Sequence, residues 1–205
     1  IFQVLMKYKD KYGRCLPVLS DEPYIKLAYS NEYFSVLKEY PYSFMIRSFS
    51  KDIGLAGERI GFIAWNYDAF YSDMIDTFKH AARVGGFVGA PRLMQRVIPH
   101  IYHSKVDIHK YQKRVQLFSE ILTKNGMKVN LPGAGFFVFP SISYLDDEVF
   151  CEYLAQKGVL CVPGGAFGLK GHFRASLSLD LSSIERGAEL ISELFFNKIN
   201  ELKKR

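Results

Sequence analysis

Cysteine is scarce in this chain. Cys15, Cys151 and Cys161 show no C-x-x-C spacing, which argues against a disulfide framework and suits three buried, reduced thiols. No apolar run approaches the roughly 18 to 20 residues that a bilayer span requires, and no charged start followed by an apolar core marks a signal peptide. The five histidines form no H-E-x-x-H. His100 and His103 could share a helical face, yet no carboxylate or cysteine completes a ligand set, so no metal is expected. The glycine-rich stretches Gly85 to Gly89 and Gly164 to Gly171 match neither a phosphate-binding G-x-x-x-x-G-K-[ST] loop nor a strand–G-x-G-x-x-G–helix unit, and they read as turns.

What is present is ordinary globular material. Hydrophobic residues make up 48% and charged residues 23% of 205, which excludes disorder and collagen and allows one large or two small domains. Lys and Arg exceed Asp and Glu by 27 to 21, giving a net charge of +6. These positives are dispersed. The dense cluster Lys203-Lys204-Arg205 ends a helical stretch, where cations complement the helix dipole, so no nucleic-acid partner is expected. The chain opens Ile1-Phe2-Gln3-Val4, without Met and already inside an amphipathic pattern, which makes it an expected piece of something longer.

Phe2, Leu5, Met6 and Tyr12 fall near helical spacing, with Gly13 as the stop. Cys15 to Leu19, Tyr42 to Arg47 and Arg59 to Trp65 read as strands, each of the first two running into a polar loop. Helix, strand, loop, strand, loop is the α/β pattern, with strands apolar enough to be covered on both faces. A helical stretch from about Ala69 to Tyr102 breaks at Gly85-Gly86 and restarts near Ala90-Pro91. A longer helix follows Asp107, with Val115, Phe118, Ile121 and Leu122 on one side and Gly126 at its end. Beyond it, Gly135 to Phe139 and Gly158 to Val162 read as strands flanking a helix from Asp146 to Gln156. Phe173 to Leu179 alternates, and a last helix starts at Ser182-Ser183 with Glu185 as the capping-box partner of Ser182. A domain boundary is expected near Asp107, with residues 1–105 and 106–205 on either side.

In open α/β sheets ligands sit beyond the carboxyl ends of strands, so polar groups that follow apolar strands define the candidate site. Asp21 and Tyr24 follow the first strand; Ser48, Ser50 and Lys51 follow the second; Arg59 lies eight residues past the lysine. A carboxylate, a phenol, two hydroxyls, an amine and a guanidinium are an unusual gathering for a core.

The stretch from Ser48 to Gly61, Ser48-Phe49-Ser50-Lys51 through Gly57-Glu58-Arg59-Ile60-Gly61, resembles the cofactor-lysine motif S-x-S-K…G-x-R-x-G of fold-type I pyridoxal-phosphate enzymes, the class I/II aminotransferases. Asp21-Glu22-Pro23-Tyr24 is similar to the family's D-E-x-Y element. Val162-Pro163-Gly164-Gly165-Ala166-Phe167-Gly168 followed by Phe173-Arg174 resembles its P-G-x-x-F-G and arginine strand, and Gly133-Ala134-Gly135-Phe136-Phe137 its G-x-F segment. The resemblance implies an α/β fold of type I, here the later part of a three-layer large domain plus a small α+β C-terminal domain. It implies pyridoxal 5′-phosphate as cofactor and transfer of an amino group from an amino acid to a 2-oxo acid, in a cytoplasmic homodimer. Lys51 would form the Schiff base and move protons as a neutral amine. Asp21 would pair with the pyridine nitrogen, Tyr24 with the phenolic oxygen, and Ser48, Ser50 and Arg59 with the phosphate. Arg174 would clamp the substrate carboxylate in bidentate fashion.

The same resemblance leaves alternatives open: a lyase using the same cofactor, or a non-catalytic remnant acting as an interaction domain. The family's N-terminal patterns do not occur, so the likeness covers nearly all of this chain but about half of a full enzyme. The chain by itself is therefore expected to lack part of the active site. A dicarboxylate enzyme would use a second arginine, for which Arg83, Arg92 and Arg96 are the candidates.

Overall fold

A computed structural model describes residues 1–30, 35–69, 74–142 and 145–203. The chain divides into two compact units, Ile1–Val106 and Asp107–Arg205. Residues 70–73, within the first anticipated helical stretch, and Lys204 and Arg205 of the basic tail lie outside the described residues.

The first unit begins with helix α1 (Phe2–Tyr12), ended by Gly13 at φ 64°, the left-handed turn that glycine adopts without steric penalty. Strand β1 (Val18–Asp21) pairs in parallel with β2 (Ser43–Ser48), from Val18 opposite Ser43 to Asp21 opposite Ile46. Strand β3 (Gly61–Trp65) runs antiparallel on the other side of β2, with Ser48 opposite Gly61. A short helix α2 (Val36–Glu39) precedes β2, and the buried Ser43 hydroxyl donates to the carbonyl of Tyr40 at 2.6 Å, tying that helix to the strand. Helices α3 (Met74–Val84) and α4 (Arg92–Ile101) follow β3. Phe78 of α3 packs edge-on to Phe44 at 5.6 Å and lies 5.2 Å from Trp65. Met94, Val97 and Ile98 of α4 pack around Phe49 and Ile60.

The observed strands start later than the sequence pattern implies. β1 begins at Val18 rather than Cys15, and β3 at Gly61 rather than Arg59. The expected covering of both strand faces does not hold for β1, where Leu19 and Asp21 are exposed. Among the described strands β1 is bonded to β2 alone, so it is an edge strand, and edges carry mixed patterns. Cys15 is exposed, not buried, because it lies in the extended link between Gly13 and β1.

The second unit packs helix α5 (Ile108–Lys124) against helix α7 (Leu181–Lys203) beside a small antiparallel sheet. That sheet has the order β4 (Phe137–Val138), β6 (Phe173–Ser176), β5 (Val162–Pro163). Helix α6 (Asp147–Gln156) is capped by Asp146, whose carboxylate accepts from the N–H groups of Glu148 and Val149. Val115, Phe118 and Leu122 of α5 are buried with Phe173, Ala175 and Leu177, and with Ile184, Ala188 and Ile191 of α7. The alternation from Phe173 holds as far as Leu177, but Leu179 is exposed beyond the strand's end. The anticipated Ser182–Glu185 capping box is replaced by Asp180. Its carboxylate accepts from the Ser183 N–H at 2.9 Å and from both serine hydroxyls at 2.7 Å, a tighter set than a Ser cap offers. Strands β4 and β5 are shorter than the apolar runs that announced them, since each pairs with β6 over only two residues.

Among the described glycines of the first unit, Gly61 is the most closely approached by backbone. A β-carbon there would stand 2.4 Å from the Arg47 carbonyl oxygen, whereas one at Gly57 would meet nothing within 4 Å. Gly61→Ala is expected to destabilise the first unit by about 1–3 kcal/mol, and Gly57→Ala to be close to neutral. Urea unfolding of both variants checks this, and equal midpoints would contradict the packing.

Candidate active site

Parallel pairing of β1 with β2 brings their carboxyl ends to one edge of the sheet, and antiparallel pairing brings the start of β3 to the same edge. Asp21 is the last residue of β1, Ser48 the last of β2, and Arg59 lies two residues before β3. Ser50 and Lys51 sit in the turn that leaves β2, and Tyr24 lies just past β1, before a 3-10 turn at Ile25–Leu27. Of the sequence-derived candidates, six thus fall on or next to one edge of the first unit. Arg174 is in β6 of the second unit.

In the turn after β2, Phe49 is buried in the apolar cluster with Ile60 and Met94, while Ser48 and Ser50 on either side of it are half-buried. The Ser48 hydroxyl donates to Ser50 Oγ at 2.9 Å, and the Ser50 N–H donates to Ser48 Oγ at 3.2 Å. The Phe49 N–H donates to the Ile60 carbonyl and the Leu55 N–H to the Phe49 carbonyl, which folds residues 49 to 60 back on themselves. Arg59 is exposed and gives one N–H to the Ala56 carbonyl at 2.9 Å, which leaves other guanidinium donors for an anion. Its φ of 50° is the only positive value among the described non-glycine residues, a conformation that costs of order 1–3 kcal/mol and concentrates at functional sites.

Beneath this turn lies a pair the sequence pattern did not single out. Arg47 Nη2 stands 3.3 Å from Asp52 Oδ2, with both side chains buried. Arg47 Nε and Asp52 Oδ1 have no hydrogen-bond partner among the described residues. An arginine inside an otherwise apolar strand was the available signal, but a separation of five residues names no partner.

In the second unit Arg174 contacts two rings, its guanidinium carbon 4.4 Å from the Phe137 centroid and 4.3 Å from that of Phe167. Cation–π contact does not consume the N–H donors of the guanidinium, which a carboxylate can use. Phe167 belongs to a tight turn, Gly164–Phe167, in which a β-carbon on Gly164 would meet the Leu169 carbonyl oxygen at 2.2 Å. Asp147 secures that turn. Buried at the start of α6, its carboxylate accepts from the Gly165 N–H at 2.7 Å and the Gly171 N–H at 3.1 Å. Burial pushes the Cys151 thiol up to about 11 and the Cys161 thiol up to about 12, so neither is a thiolate at neutral pH. Arg83, Arg92 and Arg96 are all exposed, on α3 and α4. Among the described residues no group of His, Cys, Asp and Glu is placed to hold a metal, and no helix is long and apolar enough to cross a membrane.

This mixed α/β fold is shared by solved aminotransferases of fold type I. An aminotransferase from Eubacterium rectale superposes with a TM-score of 0.82 at 29% identity, over 95% of this chain and 49% of that one. Residues 3–191 match the sequence pattern of aminotransferase class I and II, and the chain belongs to that family. A (5-formylfuran-3-yl)methyl phosphate transaminase of Methanocaldococcus jannaschii is 27% identical over 93% of this chain and 53% of its own length. An aspartate aminotransferase of Pyrococcus horikoshii is 29% identical over 75% of this chain and 41% of its own length. The chain spans about half the length of the curated relatives it matches.

The two glycine N–H donors hold the Asp147 carboxyl below its ordinary range. A carboxyl depressed by folding contributes stability above its unfolded value of about 4 and loses that contribution as pH falls through the lower folded value. Asp147→Asn is expected to lower stability at neutral pH and to flatten the acid limb of the stability curve below about pH 4. Parallel melting-temperature profiles for the two proteins would contradict the assignment.

Proposed function

We propose that the protein containing this chain is a pyridoxal-phosphate-dependent aminotransferase, moving an amino group from an amino acid to a 2-oxo acid, with Lys51 as the residue that holds the cofactor. In this reading residues 1–105 are the end of a large cofactor-binding domain and 106–205 a small C-terminal domain of a cytoplasmic homodimer. The observation that carries the proposal is the shared sheet edge, where an amine, two hydroxyls, a guanidinium and a carboxylate come from three adjacent strand ends.

The donor set suits the group. A phosphate dianion needs several donors, and Ser48, Ser50 and Arg59 supply hydroxyls and a planar guanidinium within one folded-back turn. When bound, pyridoxal phosphate supplies an aldehyde that condenses with an amine by loss of one water, and a protonated ring that accepts electrons when a substrate α-proton leaves. Asp21 would hold the ring nitrogen's proton, and Tyr24 would donate to the ring's oxygen. The Lys51 amine would hold the cofactor's aldehyde carbon and, as a neutral base, would take the proton from the substrate α-carbon. Arg174 would clamp the substrate carboxylate with two parallel N–H donors, with the rings of Phe137 and Phe167 packed against its guanidinium.

Reduction of the native protein with borohydride in the presence of pyridoxal phosphate, followed by peptide mapping, is expected to place the adduct on Lys51, and Lys51→Ala to abolish both the adduct and amino transfer. An adduct on another lysine would overturn the proposal. Arg174→Lys is expected to lower kcat/KM for the amino donor about 10- to 100-fold, the worth of a charged bidentate contact. Steady-state kinetics reads this, and an unchanged kcat/KM would remove Arg174 from the substrate site.

A further inference from the structure

We propose that Arg47 and Asp52 are positioning residues for Lys51: a buried ion pair that closes the chain around Ser48–Lys51 and fixes where the amine stands. The inference rests on the reading of Lys51 as the cofactor-holding residue. Arg47 immediately precedes Ser48, and Asp52 immediately follows Lys51. Their 3.3 Å contact joins the two ends of the very segment that carries the lysine and both hydroxyls.

Geometry makes this closure stiff. Arg47 belongs to β2, the strand bonded on both sides, and its carbonyl abuts Gly61 so closely that no β-carbon fits there. Phe49 is buried in the cluster with Ile60 and Met94. Lys51 is therefore held between an apolar anchor two residues before it and an electrostatic anchor one residue after it. With consecutive Cα atoms about 3.8 Å apart, so short a span between two buried anchors has little freedom to wander.

The pair is a poor device for stability alone. Two buried charges meet through a single contact, while Arg47 Nε and Asp52 Oδ1 have no partner among the described residues. Pairs of this kind are often matched or bettered by apolar residues of similar volume. What an apolar pair cannot reproduce is the directional constraint: a guanidinium and a carboxylate fix the turn leaving β2 to one path. Positioning to that tolerance matters because a displacement of the order of 1 Å can cost about 10²-fold in rate.

The test uses the native protein with pyridoxal phosphate. Asp52→Asn keeps the shape and removes the charge; Arg47→Met with Asp52→Leu removes both charges, so that no lone charge is left to unfold the sheet. Each is measured for melting temperature, for the rate of borohydride-trapped adduct at Lys51, and for the pH midpoint of the bound cofactor's absorbance. The double variant is expected to stay folded, with trapping slowed about 10- to 100-fold and the pH midpoint displaced. Restoring both residues is expected to return the two readouts. A folded double variant with native trapping rate and native midpoint would show that the pair serves stability only. Lys51→Ala, run in parallel, separates the two levels: loss of the adduct there leaves the functional reading standing, whereas an adduct that persists refutes that reading, and this inference with it.

Discussion

The six candidate residues of the first unit hang from β2. Among the described strands of its sheet it alone has ladder partners on both sides, parallel to β1 and antiparallel to β3. That mixed pairing decides which chain ends meet. Had β3 run parallel to β2, Arg59 would have stood at the far end of the sheet from Lys51. The register also sets the face each strand residue takes, since a slip of one position would turn the buried Arg47 side chain to the opposite face of β2. A ladder of weak individual bonds thus fixes the address of every polar group at the edge.

Two buried carboxylates tie other groups in place: Asp52 meets Arg47 in the first unit, and Asp147 accepts from Gly165 and Gly171 in the second. Breaking one partner of such a buried pair costs about 3–5 kcal/mol, because the other charge is left without compensation. The two cases differ in completeness. Both oxygens of Asp147 are satisfied, whereas one oxygen of Asp52 has no partner among the described residues. Aromatic rings do the equivalent work around Arg174, holding a cation without neutralising it.

Much of this was legible in the residues, and the failures have physical causes. Helices α1, α5 and α6 end and begin where Gly13, Gly126 and Asp146 say they should, because caps and left-handed turns are local chemistry. Strand limits were shifted by one to four residues, since pairing and not propensity ends a strand: β1 takes in Asp21 because β2 offers Ile46 as its partner. The site's polar residues stood out because they follow apolar runs. Their supports did not. Arg47 with Asp52, and Asp147 with two glycines, join residues whose spacing carries no period, and only the folded chain brings them together.

Arg59 carries a consequence of another kind. Its backbone occupies the left-handed region that glycine or asparagine would enter with less strain. Any redesign guided by thermal stability alone would nominate this position first and would be rewarded for removing the guanidinium. The gain in robustness would be drawn from the proposed anion-binding edge, so a score built on folding free energy would favour a variant stripped of that guanidinium.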